Sequence, residues 1–178
     1  MKYQVLEMVG ISGEFPVNQL HRLIESSSYA EKIITELKNE KLIRTHYRDR
    51  LRGYRLTKHA KELLLAQNMP RFHDYLTGNT ETNLIRSELP RRIRLHQKAE
   101  IYLTLLHANI PIFYDVKPNI FSRTCEADSS FIQDLPLFYS SREIKTLGYD
   151  TTKIRNSRSV GILLSPQCVL SLIHISEP

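Results

Sequence analysis

The sequence predicts an α+β fold, with an N-terminal helical unit holding one β-hairpin and a second, truncated domain that is α/β or α+β. Three observations predict it. Apolar residues recur at helical spacing over roughly the first 40 positions. A basic hairpin follows near residue 50, and beyond residue 90 short apolar runs alternate with helical patterns. At 178 residues the chain suits one small domain and part of another, and 41% hydrophobic with 25% charged residues is ordinary for a protein that buries a core.

Lys2 to Val9 reads as the first helix, ending between Gly10 and Gly13, and Phe15-Pro16 starts the next element. Val17, Leu20, Leu23 and Ile24 then give one apolar face to a helix over Val17–Glu25. Ser26, Ser27 and Ser28 break it, and Ser28 with Glu31 has the form of a capping box. Ala30, Ile33, Ile34 and Leu37 repeat at i, i+3, i+4 and i+7, which turns Tyr29, Lys32, Thr35 and Glu36 outward. Leu42–Arg48 and Tyr54–Thr57 read as strands joined by Asp49–Gly53, with Gly53 expected to supply a positive φ. Thr57 is placed to cap a helix through Ala60, Leu63 and Leu64.

Two helices, a basic hairpin and a closing helix follow the order of a winged helix-turn-helix, which points to double-stranded DNA. Between Lys38 and Lys61 lie nine basic residues and two acids, a local +7 against +6 for the whole chain. Charge concentrated on one protruding element suits a phosphate backbone, because each docked cation releases condensed counterions. The candidate contacts are Ser27, Ser28, Tyr29 and Lys32 at base edges or phosphates, and Arg44, Arg48, Arg50, Arg52, Arg55 and Lys58 on the backbone.

Pro70–Glu88 is polar and mixed, so residues 69–89 read as a linker between a domain over 1–68 and a second over 90–169. In the second, Arg91–Ala108 has a helical pattern, Ile110–Asp115 suits an edge strand, and Pro118–Pro136 has the character of loop. Ser140 with Glu143 forms a further capping box before a helix stopping at Gly148, and Val160–Leu164 reads as a buried strand. Leu170–Pro178 resembles the translation of a transposase-type sequencing adapter, so these residues are expected to lie off the fold and the natural chain to continue past about residue 169.

Asp115 with Glu143-Ile144-Lys145 echoes the D…ExK spacing of metal-dependent nucleases, which needs two acids converging on a metal ion. The capping box argues for a helix at Glu143, where residues two apart diverge, so helix capping is the expected role. No catalytic residue is assigned. The histidines lack paired-ligand spacing and Cys125 and Cys168 lack a CxxC, so no metal and no cofactor are expected. No apolar run approaches the roughly 18 residues a spanning helix needs, and Met1-Lys2-Tyr3-Gln4 opens no signal peptide, so the expectation is no membrane and a cytoplasmic location.

Leu42-Ile43-Arg44 and Gly53 to Leu64, within Asn18–Leu65, resemble the winged helix of bacterial DNA-binding regulators over roughly a quarter of the chain. Arg94-Leu95-His96, Phe138 to Lys145 and Lys153-Ile154-Arg155 resemble uncharacterised proteins of bacterial plasmids and integrative elements, among whose named relatives are the plasmid replication-relaxation proteins. That resemblance implies a DNA-binding protein of a mobile element, acting in replication, mobilisation or transcription control. A homodimer is compatible with it. The alternatives are a nuclease-like enzyme with its site in or beyond the second domain, and a winged helix that binds protein.

Overall fold

The computed structural model describes residues 1–77, 82–117, 136–146, 161–165 and 168–172, and the chain is α+β. It divides into two compact units, Met1–Thr104 and Leu105–Pro178.

The first unit is built around α1 (Lys2–Ser12), buried from Val5 to Ser12 as suits a helix apolar on most sides. Gly13 ends it at φ 85, with its N–H on the Val9 carbonyl at 3.0 Å. After β1 (Phe15–Pro16) comes a 3-10 turn over Val17–Gln19 and the single-turn α2 (Leu20–Leu23), shorter than the Val17–Glu25 helix expected. The longer α3 (Ser27–Asn39) buries Ala30, Ile33, Ile34 and Leu37, the set its spacing predicts. Its cap is Ser26, not Ser28: Ser26 is extended at φ −80, ψ 115, and its Oγ accepts the Tyr29 N–H at 3.4 Å. Ser28 already lies inside the first turn.

β2 (Ile43–Arg48) and β3 (Leu51–Leu56) pair antiparallel, with β1 on the other edge of β3, giving the order β1-β3-β2. The return is a two-residue turn in which Asp49 and Arg50 take φ 52 and 60. Gly53 therefore does not supply the positive φ. It sits within β3 opposite His46. α4 (Lys58–Gln67) is capped by Thr57, whose Oγ1 accepts the Ala60 N–H at 3.2 Å and donates to the Lys41 carbonyl at 2.7 Å.

Where a linker was expected, the chain forms α5 (Met69–Leu76), capped by Asn68 and burying Phe72 and Tyr75. The spacing of Phe72 and Tyr75 puts two aromatics on one face despite the polar composition around them, and that face packs on α1 and α4. After α6 (Asn83–Arg86), the long α7 (Leu89–His107) buries Arg92, Leu95, Ala99, Tyr102 and Leu103 in the first unit. The division between units falls inside α7, not at residues 69–89.

The second unit holds β4 (Leu137–Ser140), α8 (Ser141–Thr146), β5 (Gly161–Ser165) and β6 (Cys168–Leu172), in an antiparallel sheet of order β4-β5-β6. Among the described residues every strand pair is antiparallel, the α+β alternative. Ile110–Asp115 is not a strand: Ile112 and Phe113 are buried in irregular chain leading into a 3-10 turn over Tyr114–Val116, and Pro111 has no N–H to give a ladder. The segment from Leu170, expected to lie off the fold, pairs its backbone with β5 as far as Leu172 opposite Gly161. The expectation of an off-fold segment therefore does not hold for Leu170–Leu172, whose backbone belongs to the third strand of this sheet. The loop expected over 118–136 lies outside the described residues except Pro136, as does the stop at Gly148.

Candidate nucleic-acid interface

Ser27, Ser28, Tyr29 and Lys32 are all exposed at the start of α3. They do not share one stripe. Lys38 turns to the hairpin, with its Nζ 5.5 Å from the Tyr54 ring centroid. Glu36, on the opposite flank, pairs with Lys2 of α1 at 2.7 Å, and Tyr29, two turns before it, lies on that same flank. Ser28, Lys32 and Thr35 run between the flanks and face outward.

The strand register sorts the hairpin arginines. Directly opposed residues share a face, so Arg44, His46 and Arg48 lie with Arg55, Gly53 and Leu51. Ile43, Thr45 and Tyr47 lie with Leu56, Tyr54 and Arg52 on the other face, the one that Lys38 of α3 approaches through Tyr54. Tyr47 is 69% exposed and directly opposite the exposed Arg52. Tyr47 was not among the residues expected at the interface, although a period of two from Thr45 puts it on that face. Arg50 is exposed in the turn, Arg48 lies 3.4 Å from Asp49, and Lys58 is exposed with Glu62 at 3.7 Å.

Arg55 departs from the expectation. It is 6% exposed, and its guanidinium is spent on Glu14 at 2.6 Å, the Arg86 carbonyl at 2.8 Å and the Ser87 hydroxyl at 3.3 Å. It cannot reach a phosphate. Glu14 is fully buried and also receives Arg92 at 2.6 Å and His96 at 2.9 Å. Burial alone would raise its pKa, but hydrogen bonds from His96, Arg92 and Arg55 outweigh that and hold the carboxyl at about 2. Gly53 makes room for it: a Cβ there would stand 2.5 Å from Glu14 Oε1.

Arg92 carries this cluster onto the hairpin. Its guanidinium donates to the carbonyls of Arg48 at 2.6 Å, Leu51 at 3.0 Å and His46 at 3.3 Å, so one buried side chain holds both strands beside the turn. Burial, followed by the charges of Arg55 and Arg92, pushes the His46 pKa down. Glu14 and Arg92 were missed by the sequence analysis. A signal for Arg92 existed, since it precedes Leu95 and Ala99 by three and seven residues on the buried stripe of α7.

In the second unit Glu143 takes the expected capping role. Its Oε2 accepts the Ser140 N–H at 2.6 Å while its own N–H donates to Ser140 Oγ at 3.3 Å. Its other oxygen accepts from the buried Lys117, which also donates to the carbonyls of Phe138 at 2.8 Å and Ile112 at 3.2 Å. Those acceptors match the three donors of an ammonium group. Burial, with Glu143 and Tyr114 nearby, pushes the Tyr139 hydroxyl up to about 12. Asp115 is exposed, whereas Glu143 is 1% exposed with both carboxylate oxygens engaged, one by the Ser140 N–H and the other by Lys117.

Among the described residues no group of three or more His, Cys, Asp or Glu is placed to hold a metal ion, and no helix is long and apolar enough to cross a membrane. No protein-family profile, curated protein or solved structure matches the chain.

Proposed function

We propose that the first unit binds duplex DNA as a winged helix-turn-helix, with α3 presented to the major groove and the β2–β3 hairpin to the phosphate backbone. The observation that carries this reading is the exposed hairpin end, where Arg50 in the turn and Arg52 beside Tyr47 occupy or flank the side from which α3 is approached. The element order from α1 to α4 and the β1-β3-β2 sheet support it. The reading frees Arg44, Arg48, Arg50, Arg52 and Lys58 for phosphates, leaves Ser28 and Lys32 as base readers with Ser27 and Tyr29 at their margin, and removes Arg55. Holding a replication or transcription site on a plasmid or integrative element is the biological role the sequence resemblance suggests.

Salt titration of duplex binding by the full chain tests it. About four phosphate contacts should give a log K against log[salt] slope of roughly −3 to −4, and Arg50→Ala with Arg52→Ala should flatten the slope by about one per lost contact on every sequence. Lys32→Ala should instead act on site preference. Binding that is indifferent to salt would sink the proposal. Protein binding is the second reading, favoured by the balanced charge of α3, where Glu31 and Glu36 stand beside Lys32 and Lys38.

A further inference from the structure

We infer that Arg92 is a positioning residue for the hairpin, so that the DNA-binding unit runs on into α7 and does not end near residue 68. This rests on the DNA-binding reading above. A β-hairpin of two short strands is marginal by itself, and the pose of its tip depends on what covers its faces. On the face shared by Arg44, His46 and Arg48, the cover near the turn is Arg92: it is 0% exposed and grips the carbonyls of Arg48, Leu51 and His46. Residues 46, 48 and 51 bracket Tyr47, Asp49 and Arg50, so the grip lies where the exposed cations and the exposed tyrosine are presented. The guanidinium is itself fixed by Glu14, which occupies the space left open at Gly53 and is shared with Arg55 of β3. Arg92 thus acts on DNA through main-chain atoms of the hairpin, with no contact of its own to the duplex.

The experiment compares wild type, Arg92→Lys and Arg92→Met as full chains, by amide hydrogen exchange and by duplex binding across a salt titration. Lysine keeps a positive charge beside Glu14, but one ammonium lacks the planar fork that spans carbonyls on two strands. Both variants should exchange faster across residues 43–56 while α1 and α5 stay protected, and duplex affinity should fall roughly tenfold, the scale of a residue that acts through coupling. The salt slope should fall too, although every exposed hairpin cation is intact. Arg92→Lys matching wild type in hairpin exchange overturns the inference, and so does faster exchange spread evenly over the first unit, which marks general destabilisation. Should wild type bind no duplex, the DNA reading fails by itself, and hairpin exchange still decides whether Arg92 sets the pose.

Discussion

At position 53 an added methyl would stand 2.5 Å from Glu14 Oε1 and 2.6 Å from its Cγ, and neither atom has room to retreat because the carboxylate is held by Arg55, Arg92 and His96. Gly53→Ala should therefore destabilise the first unit by at least about 1–3 kcal/mol, the usual cost of overpacking. Gly53→Asn should be no milder, since the backbone there has no positive φ for asparagine to tolerate. Chemical denaturation of both variants checks this, and an alanine variant within about 0.5 kcal/mol of wild type would contradict the packing argument. The same neighbourhood explains why Arg55 misled the reading of the sequence. Its charge fits the basic run from Lys38 to Lys61, and nothing local says that an acid 41 residues earlier will claim it.

Among the elements, what could be read from sequence is what local periodicity and capping dictate. The buried stripe of α3, the Thr57 cap of α4 and the reciprocal Ser140–Glu143 cap were legible because each depends on residues within one or two turns. The cap of α3 was placed wrongly because three consecutive serines offer equivalent hydroxyls, and backbone dihedrals decide between them. α5 was missed because only Phe72 and Tyr75 mark its buried face in a polar segment. The hairpin is legible, but a five-residue connection over Asp49–Gly53 with its positive φ at Gly53 was expected where Asp49-Arg50 alone makes the turn, so the register that separates Arg52 from Arg44 and Arg48 could not be drawn. Ser26→Ala should cost about 1 kcal/mol by removing the α3 cap, whereas Ser28→Ala should stay within about 0.5 kcal/mol. Thermal unfolding of the two variants distinguishes them, and a larger loss for Ser28→Ala than for Ser26→Ala would return the cap to Ser28.

For the whole first unit, the buried cluster makes stability a function of pH. Glu14 has a folded pKa near 2 against an ordinary 4.5, so its contribution is complete above about 4.5 and is lost as pH falls toward 2. The contribution is on the order of 3 kcal/mol. His46 is shifted below its ordinary 6.5, so the fold resists its protonation and stability begins to decline once pH drops under that value. Denaturant midpoints measured from pH 7 to 2 should show a shallow loss below about 6.5 that steepens below about 4.5. Glu14→Gln should start from lower stability at pH 7 and flatten the steeper part. A wild-type profile level down to pH 3 would show that Glu14 is not held as described.

Arg92 and the Arg48 carbonyl it binds are 44 residues apart in the chain. Ribosomes extend a chain in N-to-C order at roughly 5–20 residues per second, so several seconds separate the making of the hairpin from the making of the side chain that grips it. Glu14 and Arg55 exist throughout that interval with their shared partner still unmade, and the nascent hairpin can form its ladder before its tip is fixed. During synthesis the cationic arm is therefore complete in composition well before it is complete in shape.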